Sequence, residues 1–295
     1  MKNNRINIPK LMETDRGKTP TIVSFLSGKG GVGKTTIAFN LGAALANSGQ
    51  KTLLVDSDWH FGNLHILCNV APEFTLADIM ANPSFADQAI IPIYENLGLI
   101  ASPSAGASEI EFNKRDYINW LSRIRALFAP YDFVLLDTPS GLVDLIALVG
   151  NASDINLLIL NPELTAISDA YGLFKYLVKF NDDITAQLLI NRVQNAGESD
   201  YIYQKFSVLT ERFLDKVPFY AGYLPEDKKL IESIALQRPA FKIDDNCPSV
   251  ESFLQLRGLL MKIRSGGLMP EEINNSGIIN HSRTSFQVFA HQDMD

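Results

Sequence analysis

The chain has 295 residues, of which 46% are hydrophobic and 20% charged, and its formal net charge is −7 at pH 7. This length provides enough apolar residues for one large α/β domain with tails, whereas the negative charge argues against a surface built for non-specific nucleic-acid binding. No stretch approaches the ~20 apolar residues of a membrane span, and Cys68 and Cys247 form no C-x-x-C pair, so we expect a cytoplasmic protein with buried thiols rather than a disulfide framework or a zinc site.

The first predicted elements follow a basic N-terminal stretch. Residues 1–20 have little apolar periodicity and predict a flexible extension. Residues 21–26 form an apolar, β-branched run that predicts a buried strand, and the apolar residues from Ile37 to Leu45 recur at helical spacing. Between strand and helix, residues 27–36 read Ser-Gly-Lys-Gly-Gly-Val-Gly-Lys-Thr-Thr. This run satisfies the phosphate-binding pattern G-x-x-x-x-G-K-[ST] in the strand–loop–helix context that the pattern requires.

The loop therefore predicts a binding site for nucleotide phosphates. Its glycines allow the backbone to wrap so that successive N–H groups and the positive end of the helix face an anion. We expect Lys34 to reach the β- and γ-phosphates, where it acts in catalysis, and Thr35 to ligate Mg²⁺. The predicted nucleotide-binding residues of the loop are Gly28, Lys29, Gly30, Gly31, Val32, Gly33, Lys34, Thr35 and Thr36.

Lys29 is a second lysine that the general phosphate-binding pattern does not demand. The form G-K-G-G-x-G-K-[ST] resembles the deviant Walker A motif of the MinD/ParA group of ATPases. The resemblance implies ATP and Mg²⁺ as cofactors and a homodimer in the ATP-bound state, in which Lys29 takes part in catalysis by reaching the γ-phosphate held by the partner subunit. A cation supplied in this way acts like an arginine finger, which is worth on the order of 10³-fold or more in rate.

Strands and helices alternate through the rest of the chain. Near-continuous apolar runs predict strands at 51–56, 97–101, 133–137, 155–160, 188–190 and 219–223. Amphipathic segments predict helices near 115–128, 165–180, 199–214, 226–236 and 249–264. Apolar strands separated by amphipathic helices predict an α/β fold, a P-loop NTPase with a mostly parallel twisted sheet and helices on both faces. Ligands of such sheets bind at the carboxyl ends of the strands.

Three carboxylates are expected at that end of the sheet. Asp56 and Asp137 each end an apolar strand, and the run 133–137 has the character of a Walker B strand. We expect Asp56 and Asp137 to hold Mg²⁺ together with Thr35. Asp58, two residues beyond Asp56, resembles the second acid of the family's D-x-D switch, and the resemblance implies that it orients the attacking water.

The residues after Asp58 depart from the family. Trp59, His60 and His65 stand where the family usually has small residues and an aspartate. Aromatic bulk at this place can alter the choice of partner or the rate of hydrolysis. The two histidines beside Asp58 suggest a metal site, but no second cluster of acids and histidines accompanies them, so stacking or a partner contact is favoured.

The base-recognition side is predicted from two later segments. Asn191 follows an apolar strand where P-loop proteins read the purine, and Gln194 occupies the position at which a guanine reader of the N-K-x-D type has an aspartate. ATP is therefore favoured over GTP. The resemblance implies that Asn191 hydrogen-bonds adenine and that Pro225, Glu226 and Asp227 form the opposing loop, although both segments also fit ordinary turns at strand ends.

Within the family, the sequence looks most similar to the flagellar-number regulators FlhG and FleN. The runs 75–79, 161–171 and 209–214 carry this likeness. The N-terminal extension lacks the D-Q-A-x-x-L-R segment of some FlhG proteins. The resemblance covers about residues 21–264, and we expect the ATPase domain to occupy residues 21–265.

The C-terminal end provides no clear membrane helix. Residues 266–295 predict a disordered acidic tail. The amphipathic pattern of 252–264 has basic residues beside it, but its position matches the last core helix of the fold, so we expect it to pack on the sheet. Membrane association is then expected to be weak or dependent on a partner, at the inner face of the cell membrane.

The resemblance implies an ATP-dependent dimerisation switch with slow hydrolysis that positions or numbers a cellular structure. Flagella are favoured, with a flagellar or cell-pole component as the protein partner. A MinD-like regulator of the division site and a ParA-like partitioning ATPase remain alternatives, as does a sensor that binds ATP without turnover. Partitioning would require a basic DNA-binding surface, and its candidates are Lys216, Lys228, Lys229 and Arg238; nucleic acid is not the expected partner.

Overall fold

Eight strands form one sheet in the computed structural model, which describes residues 19–59, 62–103 and 124–267. The strands are β1 (Thr21–Leu26), β2 (Thr52–Asp56), β3 (Ile90–Tyr94), β4 (Leu97–Ile100), β5 (Phe133–Asp137), β6 (Ile155–Leu160), β7 (Gln187–Val193) and β8 (Phe219–Pro225). Their order is β3-β4-β2-β5-β1-β6-β7-β8, and every neighbouring pair is parallel except β3 and β4. The mostly parallel sheet predicted from the sequence is confirmed.

Helices cover both faces of the sheet. Within the described residues they are α1 (Lys34–Ala46), α2 (Leu64–Leu67), α3 (Leu76–Ala81), α4 (Val143–Ala152), α5 (Leu164–Phe180), α6 (Ala196–Leu214), α7 (Lys228–Ala235) and α8 (Pro248–Arg264). One face packs against α1 and α8 in a single apolar cluster. The other face packs against α3, α4, α5 and α6 in two clusters.

The central strands are buried on both sides, which explains their continuous apolar sequence. In β1, Val23 and Phe25 belong to the cluster below α1, whereas Ile22 and Leu26 belong to the clusters on the opposite face. Successive side chains of a strand point to opposite faces, so a strand covered on both faces needs an apolar residue at nearly every position. The continuous apolar sequences of the central strands therefore indicate that helices cover both faces of the sheet.

The described elements that were not predicted include the edge strand β3, the short helices α2 and α3, and helix α4. The edge strand β3 is only partly buried and contains Pro92. A proline is tolerated only in edge strands, and its presence in a short apolar run argues against predicting a strand there. Helix α4 is apolar around most of its circumference and contains Gly150, so it lacks a helical period. The predicted helix near 115–128 lies mostly outside the described residues, and its described end, Arg125–Phe128, is a 3₁₀-helix.

Helix α8 is a core element, as the sequence predicts. Phe253, Leu256 and Leu260 are buried against α1 and β8. At its C-terminal end, the guanidinium of Arg264 donates to the side chain of Asp132 at 2.9 Å and to the backbone carbonyl of Thr19 at 3.2 Å. These contacts tie the end of α8 to the starts of β5 and β1.

Both thiols are buried, also as predicted, and both are free. The predicted N-terminal extension and acidic tail lie outside the described residues, except for residues 19–20 and 266–267. His60 lies outside them too. Among the residues described, no helix is long and apolar enough to cross a membrane.

Candidate nucleotide-binding site

The loop after β1 forms a preformed anion site at the start of α1. Gly33 caps the helix with φ +104°, a backbone conformation that suits glycine, and no side chain caps the first-turn N–H groups. A Cβ at Gly33 would lie 2.4 Å from Nδ2 of Asn191, so a side chain there is excluded by space as well as by conformation. The first turn of α1 holds no acidic residue. The N–H groups at the start of α1 and the helix dipole therefore face the cavity, and no acidic residue of the first turn of the helix competes for them.

Lys34 is buried beneath this loop. Its ammonium donates to Oγ of Ser27 at 2.9 Å and to Oγ of Ser140 at 2.6 Å. Burial lowers the pKa of Lys34, and the nearby carboxylates of Asp137 and Asp58 partly offset that effect. The two serines hold the ammonium in place, and neither was singled out from the sequence. Ser140 follows the strand that ends in Asp137, which is the only sequence signal that points to it.

Asp56 and Asp137 are neighbours across β2 and β5, as their positions at strand ends predict. Burial raises the pKa of Asp56, and the charge of Asp137 raises it further. Burial also raises the pKa of Asp137, while the charge of Lys34 and a hydrogen bond from Thr35 pull it down. Oδ1 of Asp137 accepts no hydrogen bond from the described residues. Two buried carboxylates with an unused oxygen, next to the Thr35 hydroxyl, offer the hard oxygen ligands that suit Mg²⁺.

Asp56 also organises the loop that carries Asp58. Its Oδ1 accepts from the backbone N–H of Asp58 at 3.1 Å, and its Oδ2 accepts from that of Leu64 at 3.0 Å. Ser57 donates its N–H and its hydroxyl to the carbonyl of Asp137, at 2.9 and 2.6 Å. The loop is thus fixed to both strands that supply the acids, and Asp58 lines the cavity on the P-loop side.

Lys29 makes its contacts within its own chain. Its ammonium donates to Oε2 of Glu163 at 2.5 Å and to Oγ1 of Thr165 at 3.0 Å. The hydrogen bond and charge of Lys29 lower the pKa of Glu163. The second turn of α5 lies against the loop, since a Cβ at Gly28 would lie 2.2 Å from the carbonyl oxygen of Asp169. Glu163 belongs to the run 161–171 that carries a family likeness, but no sequence pattern indicates this ion pair.

The predicted base-binding residues lie at the ends of β7 and β8. Asn191 donates from Nδ2 to the carbonyl of Val32 at 2.7 Å, which places it behind the phosphate loop, and its buried Oδ1 has no partner among the residues described. Asp227 caps α7 by accepting from the N–H of Lys229, and its other oxygen accepts from that of Ser249. Both oxygens of Asp227 thus have structural bonds. The contacts of Asn191, Pro225, Glu226 and Asp227 with adenine stay predictions.

A cavity of about 460 Å³ brings the phosphate-side residues together. Its lining includes Gly31, Gly33, Lys34, Thr35, Thr36, Asp58, Asp137, Ser140 and Arg192. Asp56 is buried beside Asp137, and Lys29 lies at the ion pair with Glu163 outside the lining. Arg192 was not predicted as a site residue. It adopts φ +60° next to a register irregularity between β7 and β8, which sequence patterns do not reveal.

The chain is similar to known proteins over most of its length. The AAA-domain family matches residues 20–190. Antiactivator FleN of Pseudomonas aeruginosa is 25% identical over 83% of this chain and 86% of its own. The septum site-determining protein MinD of Synechocystis is 31% identical over 72% and 78% of the two chains. The flagellum site-determining protein YlxH of Helicobacter pylori is 26% identical over 92% of each.

A solved structure gives the same result. The septum site-determining protein MinD of Pyrococcus horikoshii, complexed with Mg-ADP, superposes with a TM-score of 0.67 at 25% identity, covering 85% of this chain and 99% of that one. Its ligand is a magnesium nucleotide, the kind of group for which the buried carboxylates, Thr35 and the free helix N-terminus described above are suited. On its phosphate loop, its sheet order and these relatives, the chain belongs to the MinD/ParA family of AAA-domain P-loop ATPases.

Proposed function

We propose that this protein is an ATP-dependent dimerisation switch whose slow hydrolysis of ATP resets it. The observation that carries the proposal is the cavity in which Lys34, Thr35, Asp58 and Asp137 converge from separate elements. A phosphate-binding loop alone suits any nucleotide protein. A carboxylate on a second loop, beside the phosphate site, adds a group that can act on water.

The phosphate end binds and orients the nucleotide. The free N–H groups of α1 and the ammonium of Lys34 meet the phosphate oxygens, with Lys34 at the β- and γ-phosphates. Thr35, Asp56 and Asp137 would hold Mg²⁺, which would neutralise phosphate charge when bound. The acceptor Oδ1 of Asn191 suits the amino group of adenine, and Gln194 provides no carboxylate for guanine, which favours ATP.

Asp58 is the residue that acts on water. The backbone N–H of Asp58 donates to Asp56, and that of its neighbour Ser57 donates to the carbonyl of Asp137. The carboxylate of Asp58 therefore extends from a loop that is fixed to both strands. A carboxylate in this position accepts a hydrogen bond from the attacking water and orients it toward the γ-phosphate. Hydrolysis then converts the ATP-bound dimer to the ADP-bound monomer.

The rim of the site fits a second copy of the chain. Lys29 and Glu163 are both surface side chains, 36% and 56% exposed, and such pairs exchange partners at little cost. Ile66 lines the cavity and is 53% exposed. Two further exposed leucines lie close in sequence to site residues: Leu142, 41% exposed, follows Ser140 by two positions, and Leu164, 86% exposed, follows Glu163 directly. Apolar side chains around a polar pocket favour a protein partner. Lys29 leaves Glu163 and reaches the γ-phosphate held by the partner copy.

We propose that the switch positions or numbers a cellular structure, with flagella favoured and a flagellar or cell-pole protein as its partner. YlxH, named as a flagellum site-determining protein, matches this chain over nearly its whole length, and this supports the assignment. A MinD-like role at the division site is the alternative, supported by the MinD relatives. A DNA-partitioning role is less well supported, because the candidate lysines Lys216 and Lys229 form ion pairs with Asp182 and Glu232.

Two measurements test the proposal. Sedimentation of the full chain with Mg²⁺ and a slowly hydrolysed ATP analogue should give a dimer, whereas Lys29→Ala should bind the analogue within about threefold of wild type and stay monomeric, because only the contact in the partner is removed. Lys51→Ala, an exposed lysine at the far end of β2, is the control. An unchanged dimer in Lys29→Ala would contradict the role given to Lys29.

The cellular role requires a deletion strain. Electron microscopy should find an altered number or position of flagella with normal division. Minicells with normal flagella would instead support the MinD-like alternative, and loss of a plasmid or other cargo would support partitioning.

A further inference from the structure

Trp59 is buried although it directly follows the carboxylate that lines the cavity. Its side chain is 2% exposed and belongs to the apolar cluster that also holds Ile79, Ile100 and Phe128. Asp58, one residue earlier, faces the cavity with Lys34 and Thr35. The two neighbours therefore point to opposite sides of the loop. Burial in the monomer makes Trp59 unavailable to a partner, so of the two effects expected from aromatic bulk at this place, an altered rate of hydrolysis fits Trp59 and an altered choice of partner does not.

Different interactions hold the backbone on the two sides of Asp58. On the N-terminal side, Ser57 donates two hydrogen bonds to the carbonyl of Asp137, and the carboxylate of Asp56 accepts from the N–H of Asp58. These bonds fix the backbone up to Asp58. On the C-terminal side, the anchor that comes first along the chain is the indole of Trp59 in the apolar cluster.

Further along, the loop is fixed again by close packing. A Cβ at Gly62 would lie 2.6 Å from Cβ of Ser102, so the backbone there lies directly on the segment after β4. Leu64, which starts α2, is fully buried. The segment that carries Asp58 is therefore attached to the sheet before and after the carboxylate.

We propose that Trp59 is a positioning residue for Asp58: the buried indole fixes the backbone from which the carboxylate orients the attacking water. The inference rests on the proposed ATPase function and deepens it. An indole is large, rigid and anchored by only two side-chain torsions, so its burial restrains the neighbouring residue strongly. A displacement of about 1 Å in a group that orients a reactant costs on the order of 10²-fold in rate. Loss of the anchor should thus reduce turnover with little effect on the binding of ATP, which Lys34 and the α1 N-terminus provide.

The test compares two substitutions in the same apolar cluster. Trp59→Leu should lower kcat by about tenfold or more while the affinity for ATP stays within about threefold of wild type. Phe128→Leu removes a ring from the same cluster but far from Asp58 in sequence, and it should lower Tm comparably and leave kcat within about twofold. Trp59→Phe, which keeps an aromatic anchor, should recover most of kcat. Activities are measured well below the lowest Tm of the set.

A spectroscopic measurement gives a second readout. In Trp120→Phe the chain keeps Trp59 as its single tryptophan. Its fluorescence should be that of a buried indole, weakly quenched by acrylamide, both without nucleotide and with the slowly hydrolysed analogue.

The outcomes separate the two proposals. Equal kcat values for Trp59→Leu and Phe128→Leu, in an active wild type, would overturn the positioning role and leave the ATPase function intact. An indole that becomes exposed to acrylamide when the analogue binds would overturn it too, because the anchor would then be absent in the reactive state. A wild type with no ATP turnover would overturn the proposed function itself.

Discussion

The phosphate end of the cavity and its rim hold their charged residues in different ways. At the phosphate end, Lys34 is buried and bonded to two serines, and both oxygens of Asp56 accept backbone N–H groups. At the rim, Lys29 and Glu163 form an ion pair in solvent. Charges fixed before the ligand arrives cost little reorganisation during the reaction, which suits catalysis. An exposed ion pair contributes little free energy, so its charges can exchange partners when two copies of the chain associate.

This comparison explains how one loop can serve two purposes. Gly28 and Gly33, at the two ends of the loop, lie against α5 and Asn191 and fix its path. Only the side chain of Lys29 extends away from this frame to an exposed partner. Substitution of Lys34 at the phosphate end should therefore reduce both ATP binding and the rate of hydrolysis strongly, whereas substitutions of Lys29 or Glu163 at the rim should act mainly on dimerisation and leave ATP binding by the monomer nearly unchanged.

The largest effect is expected from Lys34→Ala. The substitution removes the charge that we propose meets the phosphates and leaves Ser27 and Ser140 without their buried donor, so turnover should fall by about 10³-fold and ATP affinity should also fall. Binding of a fluorescent ATP analogue and phosphate release measure the two losses. Lys51→Ala serves as the surface control. Binding retained at wild-type affinity would show that the phosphate end does not depend on Lys34.

Asp58→Ala should separate rate from binding. Because we propose that its carboxylate acts on water rather than on the nucleotide, turnover should fall by about 10²- to 10³-fold while ATP affinity stays within about threefold of wild type. The ATP-bound dimer should accumulate and be visible in sedimentation. Asp78→Ala, which removes the acid of the α3 capping box, controls for loss of stability. A parallel loss of affinity would mean that Asp58 organises the ground state.

The buried acids predict that the stability of the protein without ligand falls as pH rises, whereas its stabilisation by Mg²⁺ and nucleotide grows. Burial raises the pKa of Asp56 to about 7 and of Asp137 to about 6, from an ordinary value of 3.8. The folded protein without ligand thus holds these protons more tightly than the unfolded chain. With respect to these groups its stability is greatest below about pH 4 and should decline by on the order of several kcal/mol as pH rises from about 4 to 7.

Thermal unfolding measures this slope, and Asp137→Asn should flatten it because one titrating group is gone. Stabilisation by Mg²⁺ and nucleotide should grow over the same range, since protons no longer compete for the carboxylates. A slope unchanged in Asp137→Asn would assign the pH dependence to other groups.

A smaller effect is expected at the rim from Glu163→Gln. The substitution frees Lys29 from its ion pair and keeps the size of the side chain, so the concentration of protein at which half is dimer with the ATP analogue should fall by a factor of about two to five. Sedimentation at several protein concentrations measures it. Glu232→Gln, which breaks the exposed pair with Lys229, is the matched control. A weaker dimer in Glu163→Gln would mean that Glu163 contributes to the interface itself.

The smallest effect is expected with membranes. Exposing α8 to lipid would remove Phe253, Leu256, Leu259 and Leu260 from the core, at about 1.5 kcal/mol or more each. The purified protein should therefore co-sediment weakly with anionic liposomes, with at most a modest increase from ADP to ATP. Strong binding that is independent of nucleotide and is lost on deleting 266–295 would reassign the C-terminal segment to a membrane anchor.

The sequence by itself determined the phosphate loop, the acids at the ends of β2 and β5, and the layered sheet. Each follows from a local pattern: Gly28 to Thr36 match a contiguous motif, and buried strands with amphipathic helices have periods that can be read within a few residues. The edge strand β3 escaped prediction because its burial is partial and Pro92 interrupts its pattern.

Only the tertiary structure decided which distant residues meet. Lys29 pairs with Glu163, 134 residues away, and Asn191 supports the loop at Val32, 159 residues away. It also decided that Trp59 is buried while Asp58 faces the cavity. Nothing in a local pattern encodes these contacts, because they depend on the order in which the strands assemble and on the space left between packed elements.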